Sequence, residues 1–328
     1  MAWLLDFLAG EGLDADALAR AHGIGVEALY RPETRISDAS HRGVLRDAQA
    51  AFKGGSLGLQ LGLHRSMATL DQLAYLMMSS ATLRESIEHG LRFQNYPGRF
   101  SGFHLVTAFS EIEGQGCYQI HAHDGLGDLR LLVVEELLAA IITTSRWVLG
   151  RALPVIALKV DYPAPAHRDE YAAIFNAPVQ FDSAAIQLFF NANILDQALP
   201  HASPQSAALY ARLCEETSIS RNQGDIAWRL WRIIVDNLAE PPSLEACAAL
   251  LHCSVRTLSR KLQAQGWQYQ QLVDQVREIH ARRYLSHPGL SVTHIAHQLG
   301  YADSSGFHRA FKKWTGLAPS EYRARLFS

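Results

Sequence analysis

The chain has 328 residues, which is enough for two domains that each bury a hydrophobic core. Apolar residues make up 48% of it and the net charge is −2, an ordinary composition for a soluble protein. No window approaches ~18 consecutive uncharged apolar residues, and no basic segment precedes the apolar residues at the N-terminus, which argues against a membrane span and a secretory signal. We therefore expect a cytoplasmic protein.

Charge is distributed unevenly along the chain. Residues 225–328 contain 13 Lys and Arg against 8 Asp and Glu, whereas residues 1–224 contain 17 against 24. A basic C-terminal third joined to an acidic remainder predicts a module that binds a polyanion, carried by a module that does not.

The first 205 residues predict a mixed α+β domain. Residues 1 to about 100 read as mostly helical, and 129–150 form an apolar helix interrupted by Glu135 and Glu136. Such a helix is either buried or part of a subunit interface. Strand-like runs lie at 102–112, 117–123, 154–163 and 177–183.

The domain shows no pattern that predicts catalysis, a metal or a cofactor. A P-loop, a GxGxxG fingerprint and a nucleophile elbow are all absent from the sequence. The cysteines are scattered without a CxxC or Cys/His ligand pattern, so we expect reduced core residues. They are Cys117, Cys214, Cys247 and Cys253.

Residues 206–225 predict a linker region that ends in the polar turn RNQGD, and residues 226–328 read as all helix. Within this all-α part, residues 255–263 can be laid on residues 304–312 at an offset of 49. A short helix with a buried alanine, Ala248 or Ala296, precedes each copy. This order of elements predicts two helix-turn-helix units, at about 243–266 and 291–316, in which the second helix enters the DNA major groove.

The segment GFHRAFKKWTG (306–316) shows the amphipathic pattern of the second reading helix. Phe307, Phe311 and Trp314 share one stripe of the helix and must face a core, and Arg309 and Lys312 lie on the opposite side. Arginine can bond guanine O6 and N7 in bidentate fashion, so this face suits a major groove. The alternative is a solvated charged face.

The two copies are separated by a predicted helix at 269–287, which Pro288 and Gly289 end. At ~1.5 Å per residue it spans about 27 Å, comparable with the ~34 Å between successive major-groove faces on one side of DNA. Two units held this way can read adjacent turns.

The run IAHQLGYADSSGFHRAFKKWTGLAPSEYR (295–323) closely resembles the signature of the AraC/XylS family of bacterial transcription regulators, and SVRTLSRKLQAQG (254–266) looks like that family's first reading helix. The family often has glycine in the tight turn of the first unit, where this chain has His252. Because a non-glycine residue with positive φ is uncommon, we expect that turn to be strained or differently shaped.

The resemblance implies roles for individual residues. Base contacts would come from Arg256, Thr257, Ser259 and Arg260 in one groove segment and from Ser304, Ser305, His308 and Arg309 in the next. Phosphate contacts would come from Lys261, Lys312 and Lys313.

Residues 57–94 and 175–204 look like the arabinose-binding-like effector domain of one branch of this family. The resemblance implies a one-component regulator with a small-molecule effector and double-stranded operator DNA as partners. It also implies a homodimer through the N-terminal domain and a contact with RNA polymerase. Apart from the resemblance, the sequence offers Arg92, Asn95, Tyr96, Arg99, His121 and His123 as candidate ligand contacts. The alternative for residues 92–100 is a helix end that packs on the sheet.

Two alternatives remain open at this point. His121 and His123 share one face of a strand and could hold a metal, which would make the N-terminal domain a metal-dependent enzyme or a metal sensor. Alternatively, the C-terminal domain could bind DNA without reading its sequence, as nucleoid-type proteins do, but the paired arginine fronts argue against this.

Overall fold

The computed structural model describes residues 1–30, 36–94, 105–122, 124–222, 226–265, 267–286 and 289–327. The chain forms two compact units, which lie mostly within residues 1–216 and 217–328. Among the residues that the structure describes, no helix is both long enough and apolar enough to cross a membrane.

The N-terminal unit combines helices with one mixed sheet, as the α+β prediction required. Its helices are α1 (Ala2–Gly10), α2 (Ala15–Ala21), α3 (Asp38–Ala51), α4 (Leu57–Leu63), α5 (Met67–Leu70), α6 (Gln72–Ser79), α7 (Leu83–Gln94), α8 (Arg130–Leu149), α9 (Arg168–Phe175) and α10 (Pro204–Asn222). Its strands are β1 (Leu105–Ile112), β2 (Gln115–Ala122), β3 (Val155–Lys159), β4 (Val179–Gln180) and β5 (Ile186–Asn191). Helix α10 therefore covers most of the predicted linker region.

The strand order in the sheet is β1-β2-β5-β3-β4. Strand β5 pairs antiparallel with β2 and β3, and β3 pairs parallel with β4. The sequence analysis predicted strands at the positions of β1 to β4 but not at β5. The sequence of β5, IQLFFN, is nearly continuously apolar because the strand is central and mostly buried, so it lacks the alternation of a half-exposed strand.

Helix α8 is the centre of the N-terminal unit, which confirms the prediction of a buried helix. Helix α4 crosses it at backbone contact distance. A Cβ atom on Gly58 would lie 2.4 Å from the Leu132 carbonyl oxygen, and one on Gly62 would lie 2.4 Å from the Glu136 carbonyl oxygen. Only glycine allows this approach.

The acidic break that the sequence shows in α8 has a structural use. Glu135 is 2% exposed, and its Oε2 accepts a 2.5 Å hydrogen bond from the Ser56 hydroxyl. Its Oε1 accepts one from the Tyr171 hydroxyl at 2.5 Å and lies 2.6 Å from His167 Nε2. The Tyr162 hydroxyl lies 2.9 Å from that of Tyr171, and burial raises the pKa of both phenols. These contacts satisfy a carboxylate that would otherwise be costly to bury.

The C-terminal unit is all helix, as predicted. It consists of α11 (Ile226–Asp236), α12 (Leu244–Leu250), α13 (Val255–Ala264), α14 (Tyr269–Leu285), α15 (Val292–Gln298), α16 (Ser304–Thr315) and α17 (Pro319–Phe327). Helix α14 is the predicted connector, and it packs against α11, α15, α16 and α17. Its buried residues Leu272, Val276 and Ile279 follow the helical spacing that the sequence shows.

Candidate DNA-binding surface and effector cavity

Side chains cap the N-termini of all four helices in the two helix-turn-helix units. The cap residues are Ser243 and Ser254 in the first unit and Ser291 and Asp303 in the second. Each accepts a hydrogen bond, 2.7–3.2 Å long, from the backbone N–H three residues later. Such caps contribute ~1 kcal/mol each and determine where the reading helices α13 and α16 begin.

The tight turns of the two units contain a residue in the left-handed region at the equivalent place. His252 has φ 52° in the first unit, and Gly300 has φ 78° in the second. In each unit the N–H of the following residue donates to the carbonyl of the buried alanine, Ala248 or Ala296, at 3.0 Å. The first turn therefore has the ordinary shape, and its histidine occupies a conformation that favours glycine.

The backs of both reading helices are buried. Leu258 and Leu262 fill the core side of α13, and Phe307 and Phe311 fill that of α16. The ring of Phe311 lies 5.2 Å from that of Tyr322. The burial of Phe307 and Phe311 confirms most of the predicted apolar stripe of α16, in which Trp314 is half-buried, and the buried backs orient the opposite faces of α13 and α16 outward.

The predicted base and phosphate contacts lie on those outward faces. Arg256, Arg260 and Arg309 are exposed, as are Lys261, Lys312 and Lys313. Within the described part of the chain, none of these six cations has a carboxylate oxygen within 4 Å. They are therefore available to an external anion.

The smaller polar residues on the outward faces of α13 and α16 differ in how far they are exposed. Ser305 is exposed, and Ser259, Ser304 and His308 are half-buried. The Thr257 hydroxyl lies 2.8 Å from the Ser254 hydroxyl, so it takes part in the cap of α13. A base contact by Thr257 would have to share or replace that hydrogen bond.

Helix α14 is attached to both helix-turn-helix units. At its start, the Tyr269 hydroxyl donates to the Pro242 carbonyl, just before α12. Near its end, Arg282 pairs with Glu278 on the preceding turn at 2.7 Å, and its guanidinium lies 5.3 Å from the Tyr322 ring. The connector thus fixes the positions of the two reading helices within the C-terminal unit.

The N-terminal unit contains a cavity between α6, α7 and α8, which strands β1 and β2 also line. It has about 700 Å³ of space free of protein atoms, including its opening to solvent. The lining is mostly aliphatic, and its polar members are Arg65, Ser86, Thr107, Tyr118, Thr144 and Ser145. A mainly aliphatic lining with a few polar groups is typical of small-molecule sites.

Comparison with known proteins places both units in one family. Residues 12–199 match the "Arabinose-binding domain of AraC transcription regulator, N-term", and residues 247–325 match a "Helix-turn-helix domain". The ornithine utilization regulator of Pseudomonas aeruginosa is 31% identical over 321 residues, which are 98% of this chain and 94% of that protein. The chain belongs to the AraC family of transcription regulators. It is thus a DNA-binding regulator with an N-terminal effector-binding domain.

Two further relatives come from the same organism. The HTH-type transcriptional regulator VqsM is 31% identical over 179 residues, covering 53% of this chain and 54% of that protein. The crystal structure of the transcriptional regulator CdpR is 22% identical and matches with a TM-score of 0.45 over 94% of this chain and 96% of that one.

Two of the six ligand contacts predicted for this AraC-family effector domain lie among the described residues, and neither lines the cavity. Arg92, exposed near the end of α7, pairs with Glu215, and its guanidinium lies 5.3 Å from the Phe93 ring. His121 lies half-buried in β2. Neither is among the described residues that line the cavity. The other four candidates, Asn95, Tyr96, Arg99 and His123, lie outside the described residues.

The cavity-lining residues were not predicted from the sequence, although Leu83, Ile87 and Leu91 have the spacing of one apolar stripe of α7. That stripe indicated a buried face but not that part of the face borders a cavity. In the described residues, no group of three or more His, Cys, Asp or Glu side chains is arranged to hold a metal ion.

Proposed function

We propose that this AraC-family regulator reads a bipartite operator with α13 and α16. The observation that carries the proposal is that two helices with buried backs present exposed, ion-pair-free arginines on their fronts, joined by one packed connector. Helix α14 has 17 residues and a length of about 25 Å. This length suits two reading helices in adjacent major grooves on one side of the DNA, which repeat every ~34 Å.

Direct reading of bases is assigned to the arginines and to the polar groups beside them. Arg256, Thr257, Ser259 and Arg260 would contact the first half of the site, and Ser304, Ser305, His308 and Arg309 the second. A bidentate arginine–guanine contact is worth ~1–3 kcal/mol of discrimination against the wrong base. Lys261, Lys312 and Lys313 would bind phosphates and so contribute affinity without specifying sequence.

We propose that the effector-binding domain extends over residues 1–205, that residues 206–225 join it to the DNA-binding domain, and that the latter is 226–328. The family matches at 12–199 and 247–325 are compatible with these bounds. The effector would act by binding two arrangements of the regulator with different affinities. The N-terminal domain would then bind its ligand without catalysing a reaction, and a regulator of chromosomal genes would work in the cytoplasm.

The experiment that tests this function is selection of bound duplexes from a random DNA pool by the full-length protein. We expect a motif with two blocks about one helical turn apart. The Arg260→Ala/Arg309→Ala variant should lose both blocks. A matched control, Arg20→Ala/Arg212→Ala, removes two exposed arginines of the N-terminal unit and should keep the motif.

Three outcomes would count against the proposal. Equal retention of all sequences with a steep salt dependence would indicate a sequence-indifferent binder. Loss of the motif in the control variant would show that net charge, and not position, decides binding. A stoichiometric metal that His121→Ala removes would support a metal sensor or a metal-dependent enzyme instead.

The homodimer and the RNA polymerase contact stay predictions. Sedimentation velocity of the full-length protein, with and without operator DNA, tests the first. Transcription from an operator-bearing promoter in vitro tests the second.

A further inference from the structure

The relatives' names point to a sugar or a basic amino acid as the effector, but the cavity of the N-terminal unit has a different chemistry. Its walls are mainly aliphatic side chains from the helices that surround it. Six of these are Leu73, Met77, Leu83, Ile87, Leu137 and Val148. An apolar wall favours an apolar ligand surface, because removing such a surface from water is favourable in proportion to the area buried.

The lining contains a buried hydroxyl that makes no hydrogen bond to the described residues. The side chain of Ser86 in α7 is fully buried, and within the described part of the chain its Oγ makes no hydrogen bond. A serine inside a helix can usually donate to the carbonyl four residues earlier, as Ser79 does to Tyr75 at 2.7 Å. A buried hydroxyl without a partner is unfavourable. A ligand group that bonds to Ser86 would remove that penalty.

Charge in the cavity is already balanced. Arg65 is the one cation among the described lining residues, and its guanidinium forms a 2.5 Å ion pair with Glu136. No carboxylate belongs to the described lining. A ligand ammonium would therefore be desolvated without a carboxylate partner in the described lining, and a ligand carboxylate would have to share Arg65 with Glu136.

A sugar fits the cavity as poorly as an ion does. Each of its several hydroxyls would need a hydrogen-bond partner, and the lining offers few polar side chains among mainly aliphatic ones, so some hydroxyls would be left unpaired at a cost. A molecule with a single hydrogen-bonding group needs only one such partner, and the Ser86 hydroxyl can supply it.

We propose that this cavity is the effector site and that its ligand is a small, uncharged, mainly apolar molecule with one hydrogen-bonding group directed at Ser86. The inference rests on the effector-binding role of the N-terminal domain. It differs from the relatives' names in excluding sugars and ornithine-like amino acids from this site.

The test is calorimetric titration of the full-length protein with four probes. The probes 2-phenylethanol and ethylbenzene have similar shapes, but only the first has a hydroxyl. L-Arabinose and L-ornithine represent the polar and the charged class. We expect 2-phenylethanol to bind at least about ten-fold more tightly than either polar probe, because only its apolar body is compatible with the walls.

Two variants locate the binding. Ser86→Ala should weaken 2-phenylethanol by about five-fold and leave ethylbenzene within about two-fold, as expected for one hydrogen bond. The control Ser80→Ala removes a buried hydroxyl outside the lining and should change neither affinity. Ala140→Leu places extra side-chain volume in the cavity and should weaken both aromatic probes at least ten-fold.

Tighter binding of arabinose or ornithine, or no binding of any probe, would overturn the assigned ligand class. Unchanged aromatic binding in a folded Ala140→Leu protein would overturn the assigned location. If that variant does not fold, equal 2-phenylethanol affinities of Ser86→Ala and Ser80→Ala would overturn it instead. DNA selection without any probe is a separate measurement, so failure of DNA reading is distinguishable from failure of this inference.

Discussion

The two helix-turn-helix units have the same backbone plan but meet its requirements with different residues. Both turns place one residue in the left-handed region and close with the same pair of backbone hydrogen bonds. In the second unit that residue is Gly300, and a Cβ atom there would lie 2.0 Å from the Ala239 carbonyl oxygen. In the first unit it is His252, whose side chain is exposed.

The difference separates two reasons for glycine at one position. Backbone conformation alone favours glycine by ~1–2 kcal/mol, a cost that a histidine can bear. Close approach of another backbone excludes every side chain, whatever its conformation. Only the second unit has both constraints, because its turn packs against the loop after α11 and against Arg277, whose guanidinium lies 5.1 Å from the Tyr301 ring.

The largest expected effect comes from adding a side chain to the second turn. Gly300→Ala should lower the free energy of unfolding of the C-terminal unit by about 3 kcal/mol, since it adds a backbone clash to a left-handed conformation. His252→Gly should change it by less than about 1 kcal/mol in either direction. Urea titration of both proteins, followed by circular dichroism, measures the contrast. Similar losses in the two variants would contradict the distinction drawn between the turns.

Arginine truncation tests whether the two units read DNA to the same extent. Arg260→Ala and Arg309→Ala should each cost about 1–3 kcal/mol at the selected operator and relax base preference at one position, in different halves of the site. Quantitative binding to operators mutated one position at a time measures this. An unchanged base preference in either variant would show that the replaced arginine does not contact a base.

The shared connector predicts a pH dependence. Burial, with a smaller contribution from the nearby Arg283, lowers the pKa of His280 in α14 to about 4. Its neutral form stabilises the folded state fully above its unfolded pKa of ~6.5, and this stability is lost as the pH falls towards 4, by about 2 kcal/mol at pH 5. Urea titrations of the wild type and of His280→Gln at pH 7.5 and 5 isolate the contribution of His280 to the pH dependence of the free energy of unfolding. An equal pH dependence in both proteins would refute the assignment.

The smallest effect is expected from the phosphate contacts. Lys313→Ala should weaken binding to all sequences alike and reduce the salt slope by about one, because it removes one released counterion. Lys261→Ala is the matched change in the first unit and should behave in the same way. Filter-binding at several salt concentrations gives the slopes. A loss restricted to the operator would place the lysine among the base contacts.

Prediction from sequence was more complete for the C-terminal unit than for the N-terminal one. In α16 the buried apolar residues recur with the period of one helix. The positions of Phe307 and Phe311 in the sequence therefore indicated which face of the helix is buried and which is exposed. The effector cavity has no such local signal. Ser86 in α7 and Ala140 in α8 are far apart in the chain and meet only because the helices pack around the same space.

The sequence by itself determined the helical periods, the repeat at an offset of 49 and the positive charge of the reading faces, because these are properties of neighbouring residues. Tertiary structure decided which partners distant residues find. It placed β5 at the centre of the sheet, supplied hydrogen bonds to the buried Glu135 and left the buried Ser86 hydroxyl without a hydrogen bond to any described residue in the lining of a mainly aliphatic cavity. Burial and hydrogen-bond partners depend on packing between segments, which no local pattern encodes.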